Sequence, residues 1–313
     1  MGSGGDSAQD AVAPRRPGVD LPVGQGGKTR RPVPLGKEKG NGLSRRGTAV
    51  NVLVGTDVEG VAGIASLADQ SRADGRYYEQ TRRLATAEVN AAVSGLLAAG
   101  AEDVLVVDGH GPGGLSFEDI HPEARLLHGR PPAPRQVRDP FVAACDVCVM
   151  IGQHAMAGVA RSNQNHTQNS RSIDYYKLNG RPIGEIAQFA LYNGSLGLPL
   201  IFLSGEEAAC REAEELIPEI VTAAVKVGLG RSSAISLAAP KARALIEEKI
   251  QEAVASYRAA PWPPLVWEGP FELEKRFFFT DEADIAVQQP GAERVDDQTV
   301  RFRGDDIREI AYR

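Results

Sequence analysis

Four short apolar runs constrain this chain more than any other feature: NVLVGT (51–56), VLVVD (104–108), VCVMIG (147–152) and LPLIFLS (198–204). Each is too short for a globular helix and is apolar at successive positions. That is the pattern of a strand buried on both faces, as in parallel sheets. Helical patterns lie between and after them. Tyr78–Ala99 reads as an amphipathic helix stopped by Gly100, and Glu206–Leu216 and Ala239–Tyr257 read as two more. Alternation of this kind predicts an α/β fold: a mostly parallel sheet core flanked by helices. Ile173–Ile183 is expected to be a hairpin turning at Asn179–Gly180. The last sixty residues (PPLVWEGPFELEKRFFF, then DDQTVRFRG) alternate as antiparallel strands do, which predicts a smaller C-terminal α+β portion.

Chemistry-bearing residues stand at or just beyond these apolar runs. Asp57 and Glu59 lie in VGTDVEG, His110 in VVDGHG and His154 in MIGQHA; Glu185 lies in NGRPIGEIA, after Pro182 and Gly184, at a helix start. Open α/β sheets bind ligands beyond the carboxyl ends of their strands. Three strand ends and one helix start can therefore converge. Asp57 and Glu59 are two apart and are expected to face the same side, as alternate residues of a strand do. Carboxylates mixed with imidazoles suit a zinc-like or manganese-like cation. Five such ligands exceed one closed four-coordinate site. They fit two divalent cations that share a carboxylate and keep open positions. Taken singly, each has a bland alternative, a structural histidine or a capping carboxylate. Repetition of one design over four elements favours the joint site.

Composition narrows the class. Of 313 residues, 42% are hydrophobic and 24% charged, as in a soluble globular protein. Residues 1–47 hold nine Lys/Arg and four Asp/Glu, a balance of +5, so the formal net charge of −6 leaves −11 on the remainder. An acidic body argues against nucleic acid as a partner. The same 47 residues hold eleven Gly and five Pro with little apolar periodicity, and are expected to form a disordered basic leader. Its arginine pairs are followed by no apolar segment, so a twin-arginine signal is not expected. No run reaches 18 apolar residues, so no membrane span is expected either. Cys145 and Cys148 form a C-x-x-C, but residues three apart on a strand face opposite sides, and with Cys210 they read as buried thiols. Three thiols without a disulfide framework suit the cytoplasm. GHGPGG after VVD lacks the frame of a phosphate-binding loop and reads as an active-site loop.

From about residue 48 onward the chain resembles the M55 family of D-aminopeptidases, dinuclear zinc peptidases. The resemblance rests on D-x-E-G (Asp57, Glu59, Gly60), the segment from Tyr77 to Asn90, D-x-H (Asp108, His110), H-P-E-A (His121 to Ala124) and G-x-H-A (Gly152 to Ala155). It continues through His166–Thr167, N-G-R-P-I-G-E (Asn179 to Glu185), and E-E-L-I-P with T-A-A-V-K (Glu214 to Lys226). It implies one metallopeptidase domain over 48–313, with a metal-binding α/β core to about 205 and the smaller part over 206–313. By the same resemblance Asp57 bridges two zinc ions, Glu59 and His110 complete one site, and His154 and Glu185 complete the other. His166 corresponds to an additional active-site histidine that is not a ligand; on sequence alone, in the polar NQNHTQNS, it reads as a solvated loop residue. The implied reaction is hydrolysis of the first amide of a short peptide bearing a D-Ala-like amino-terminal residue. A ring-like homo-oligomer is implied as well.

Three departures stand out: the extra leader, a C-terminal helix after Asp305 that is shorter than expected, and the Asn/Gln-rich stretch between His154 and Asn179, where substrate preference is expected to have drifted. Rival readings are an amidase or L-aminopeptidase, a dinuclear phosphoesterase, and a metal-stabilised oligomeric scaffold. Against the phosphoesterase, the basic residues nearest the ligands in sequence are only Arg161, Arg171 and Arg181.

Overall fold

A computed structural model describes residues 50–313, so the 1–47 leader lies outside the described residues. Strands β1 (Val50–Thr56), β2 (Ala101–Asp108), β3 (Ala124–Leu127), β4 (Val147–Gln153), β5 (Ile173–Leu178) and β6 (Arg181–Ile183) come first. They are followed by β7 (Leu200–Glu206), β8 (Val221–Gly230), β9 (Ser233–Ser236), β10 (Phe271–Phe277), β11 (Ala292–Arg294) and β12 (Thr299–Gly304). The helices are α1 (Tyr78–Ala98), α2 (Arg135–Val142), α3 (Glu185–Ser195), α4 (Glu207–Leu216), α5 (Ala239–Ala259), α6 (Thr280–Ala286) and α7 (Ile307–Ile310).

The four apolar runs are β1, β2, β4 and β7 of a seven-stranded sheet ordered β3-β2-β1-β4-β7-β8-β9. All neighbours are parallel except β8 and β9. Val52, Val54, Val104, Val106, Val147, Val149, Ile151 and Phe202 are wholly buried in its core. α1 packs on α5 and both contact the sheet, while α3 packs on α4. The edge elements β3 and β9 and the proline-containing α2 were not anticipated, because each is short and weakly patterned.

A second sheet is ordered β11-β12-β10-β5-β6, every pairing antiparallel. The expected hairpin is β5–β6. Asn179 (φ 50°) and Gly180 (φ 76°) form its turn, both left-handed as a type I′ turn requires. This sheet is not confined to the C-terminal region: β5 pairs with β10, Leu178 opposite Leu273. Ile173, Tyr176, Leu178 and Ile183 need an apolar cover, and Phe271, Leu273, Phe277, Val300 and Phe302 supply it in a separate core. Local alternation announces strands but not which distant strand they join. The two sheets therefore interleave in sequence, and a subdivision near residue 205 coincides with neither.

Candidate metal centre and its cavity

Strand order reverses between β1 and β4, since β2 and β3 lie on one side and β7 and β8 on the other. In doubly wound sheets that reversal opens a crevice at the carboxyl ends of the two strands. Asp57 is the first residue beyond β1, and His154 the first beyond β4. Asp57 and Glu59 lie beyond the strand's end, so strand alternation does not set their orientation. They sit in a tight loop laid over the end of β4, with Asp57 N–H donating to Ile151 O (2.9 Å) and Gly60 N–H to Gly152 O (2.8 Å). Gly152 permits this approach: its φ is +79°, and a Cβ there would collide with Asp57 O.

His110 lies two residues beyond β2. Its loop is tied by Gly114 N–H donating to Asp108 Oδ1 (2.9 Å) and by Arg130, which donates to the carbonyls of Asp108 (2.9 Å), Gly111 (2.6 Å) and His110. Glu185 opens α3, where the helix dipole favours a carboxylate.

All five predicted ligands meet at this crevice. His110 Nδ1 is 3.1 Å from Asp57 Oδ1 and 3.3 Å from Glu59 Oε2; His154 Nε2 is 3.3 Å from Asp57 Oδ2 and 3.5 Å from Glu185 Oε1. The two oxygens of Asp57 thus face different imidazoles. Each ring's other nitrogen adjoins a backbone carbonyl, His110 Nε2 at Ser71 O (2.8 Å) and His154 Nδ1 at Ala155 O (2.9 Å). Carbonyls only accept, so those nitrogens carry the protons. Each inward nitrogen is then left facing carboxylate oxygens. Glu59 Oε2 and His154 Nε2 are buried without a hydrogen-bond partner. Imidazole nitrogens set among buried carboxylates call for positive charge between them, which a proton or a metal ion supplies. The separations match the ligand–ligand edge of about 3.3 Å set by a tetrahedral ion with bonds of about 2.0–2.1 Å. The donor set therefore fits zinc-like ions, and the triplets Asp57–Glu59–His154 and His154–His166–Glu185 each bring their ligand atoms within 4.8 Å of one another.

Electrostatics point the same way. Burial disfavours the cation of His110, but Glu59 and Asp57 outweigh it and push the imidazole up to about 11. His154 is likewise held well above its ordinary value, burial being overcome by Asp57 and Glu185. Burial would raise Asp57, yet His110 and His154 keep it well below the usual carboxylate range. The pocket demands positive charge.

His166 is not solvated. Its neighbours Ser162, Asn163, Gln164 and Thr167 are almost fully buried. Its ring stacks on His154 with centroids 4.0 Å apart. Nδ1 donates to Gln164 O (2.8 Å), which leaves Nε2 open and 3.8 Å from Glu185 Oε1. Arg161, Gln164 and Gln168 adopt left-handed backbone (φ 54–63°) around it, a strain that concentrates at working sites. Polar side chains here satisfy one another instead of water, so composition alone misplaces the loop.

Several buried polar residues that hold this site were not identified from sequence. Lys226, 2% exposed, donates to Glu59 O, Ile64 O and Asn163 Oδ1 (2.8 Å), joining the Asp57–Ile64 loop to the His166 loop. Burial pulls its amine down to about 8. Glu206 accepts from Ser162 Oγ (2.7 Å) and Asn163 N–H (2.5 Å). Glu212 accepts from Met156 N–H (2.8 Å), and Gln168 N–H donates to Glu185 Oε1 (2.7 Å). A lysine closing the apolar TAAV stretch was the one available signal.

The crevice opens into a cavity of about 1140 Å³ that reaches His166, Gln168, Tyr192 and Tyr312. Arg72, Arg135, Arg138, Arg308 and Arg313 also line it. They are remote in sequence from the ligands; of Arg161, Arg171 and Arg181, only Arg171 lines the cavity. Arg181 instead lies over the Trp267 ring. None of the three buried cysteines is in a disulfide. No helix among the described residues is long and apolar enough to cross a membrane.

Comparisons with known proteins place the chain in a family. The Peptidase M55 family profile, described as D-aminopeptidase, matches residues 50–312. The D-aminopeptidase of Bacillus subtilis (strain 168) is 31% identical over 267 residues, covering 83% of this chain and 93% of that protein. A solved structure, the Zn-dependent D-aminopeptidase DppA from Bacillus subtilis, a self-compartmentalizing protease, superposes with a TM-score of 0.76 at 29% identity. It covers 83% of this chain and 94% of its own. A doubly wound sheet, a carboxylate–imidazole centre at its switch point and these matches lead to one conclusion: the chain belongs to the M55 peptidase family, the D-aminopeptidases.

Proposed function

We propose that this chain removes the amino-terminal D-residue of short peptides with a pair of divalent ions, zinc by preference. Asp57 would serve both ions, with Glu59 and His110 holding one and His154 and Glu185 the other. The observation that carries this reading is the orientation of the two imidazoles: each ties one nitrogen to a backbone carbonyl and points the other at a different oxygen of Asp57. Bound there, such ions polarise the scissile carbonyl and lower the pKa of water.

The chain's own residues do the rest. Gln168 N–H and the stacked His154 fix Glu185 and His166 beside each other. His166 takes up and delivers a proton at Nε2, because Nδ1 is committed to Gln164 O. An imidazole so placed can protonate the leaving amine. The cavity shelters the peptide from bulk water.

We further propose a ring-like homo-oligomer, supported by the self-compartmentalizing relative, and a cytoplasmic setting, which suits three buried thiols outside any disulfide. The deciding experiment is elemental analysis together with an assay panel: D-Ala and L-Ala p-nitroanilides, a dipeptide amide and p-nitrophenyl phosphate, each with and without zinc. Two zinc ions per chain and zinc-dependent release from the D-anilide are expected. Full activity in chelator without bound metal would sink the proposal.

A further inference from the structure

Two loops, far apart in sequence, support the imidazoles of the proposed centre from behind. The carbonyl of Ser71 lies 2.8 Å from His110 Nε2. The carbonyl of Gln164 accepts from His166 Nδ1 (2.8 Å). Ser71 and Gln164 stand 93 residues apart and are joined side chain to side chain, Ser71 Oγ donating to Gln164 Oε1 (2.7 Å). Both residues are buried, Gln164 completely. One continuous run of contacts therefore leads from His110 through Ser71 and Gln164 to His166, whose ring stacks on His154.

The two ends of this run are held differently. The Ser71 loop is closed on itself. Gln70 Oε1 accepts from Ala65 N–H (2.8 Å) and Ser66 N–H (3.1 Å), Gln70 Nε2 donates to Gly63 O (2.9 Å), and Tyr77 N–H donates to Asp69 O (2.7 Å). Gln164 is strained. Its φ is +56°, a conformation that a residue with a side chain keeps only where its surroundings fix it. Two bonds do so: Gln164 N–H donates to Arg231 O (2.9 Å), and the side chain is anchored on Ser71. Gln164 Nε2 is buried without a hydrogen-bond partner among the described residues, so the bond from Ser71 carries the side chain. The loops also meet through Asn163 Nδ2, which donates to Ala65 O (3.1 Å) and Arg231 O (3.1 Å). Those ties keep the loops together when the Ser71–Gln164 bond is removed.

We propose that the Ser71–Gln164 bond is a positioning strap: it holds Gln164 in the left-handed conformation that aims its carbonyl at His166 Nδ1, and it braces the Ser71 carbonyl against His110 Nε2. Both residues act through imidazoles and not on the substrate. Relaxation of Gln164 out of the left-handed region changes φ and ψ together and carries its carbonyl away from His166. The inference rests on the two-ion aminopeptidase reading above and names residues that orient its imidazoles. Partners of this kind, behind metal-bound and catalytic side chains, typically contribute about 10- to 100-fold in metal affinity or activity.

The experiment compares Ser71→Ala, Gln164→Met and the double variant with wild type on D-Ala p-nitroanilide at saturating zinc. Each single variant is expected to lower kcat roughly 10- to 100-fold, with KM within about threefold. Dialysis of the zinc-loaded proteins against a zinc-buffering chelator should show one of the two ions released at roughly 10-fold higher free zinc than in wild type. Each single variant also leaves a buried polar group without its partner, so Tm falls. The double variant separates positioning from stability. It removes both polar groups, so Tm should recover toward wild type, while kcat stays at the level of the weaker single variant. The double variant also serves if a single variant does not fold. Recovery of kcat together with Tm would make the bond a stability element alone and overturn the strap. A single variant with wild-type kcat and zinc affinity overturns it too. In both cases wild-type turnover leaves the aminopeptidase reading intact. A wild-type protein that binds two zinc ions yet leaves the D-anilide uncleaved overturns that reading, and zinc release from the variants still decides the Ser71 half of the strap.

Discussion

Asp57 is the residue on which the centre turns, because its two oxygens serve different imidazoles. If it spans two ions, Asp57→Ala weakens both sites together and lowers activity by at least about 10³-fold. Zinc titration is the check: loss of one ion alone would assign Asp57 to a single site. His166 makes a different prediction. His166→Ala should keep two zinc ions and a normal Tm while kcat falls by roughly 10²- to 10⁴-fold and KM moves little. Near-normal turnover would remove His166 from the chemistry, and loss of one ion would make it a ligand, as its place in the His154–His166–Glu185 triplet allows. At this scale the sequence was informative about Asp57, Glu59, His110, His154 and Glu185, since the first four follow an apolar run and Glu185 stands at a helix start. It was uninformative about Lys226 and Glu206, whose roles exist only once distant loops meet.

Between elements, the site depends on buried polar ties. Lys226 leaves β8 to bond the loop after β1 and the loop before β5. Lys226→Met keeps the apolar stem and removes three donors, leaving buried acceptors unpaired at a cost of about 1–3 kcal/mol. The expected result is a lower Tm and weaker zinc binding at the Glu59 site, read by calorimetric titration; unchanged zinc affinity would make the tie dispensable. Glu88 on α1 offers a pH test. Burial pushes its carboxyl from the ordinary 4.5 up to about 7, although it accepts Ala62 N–H. The folded protein therefore keeps a proton that the unfolded chain gives up between those values. Its contribution to stability is present at low pH and is lost as pH rises through about 7. Glu88→Gln abolishes that loss, so its Tm advantage over wild type should grow from roughly pH 5 to pH 8. A pH-independent difference in thermal melts would refute this account.

For the whole molecule, the two sheets share one chain but bury separate cores, and the cavity borrows residues from the loop before β5, from α3 and from the segment around α7. The C-terminal segment is tied in directly: Gln188 donates to Ala311 O (2.6 Å) and Tyr176 to Arg313 O (3.1 Å). Exposed apolar side chains remain on both sheets, Leu229 and Ile235 on one, Phe279 and Ile285 beside the other. Light scattering at micromolar concentration is expected to report an oligomer; a stable monomer would count against the ring-like assembly.

The parallel core, the hairpin turn at Asn179–Gly180 and the five proposed ligands were legible because each is written in neighbouring residues. Apolar runs, glycine placement and the residue that ends a strand are local properties of a chain. The reversal between β1 and β4, the union of β5 with β10 and the burial of the His166 loop are not local. They depend on which surfaces, scores of residues apart, can bury one another's apolar faces and satisfy one another's hydrogen bonds. A polar stretch such as NQNHTQNS looks solvent-facing until Glu206, Lys226 and Ser71 arrive to replace water. Only the tertiary structure decides that exchange, because its partners come from other parts of the chain.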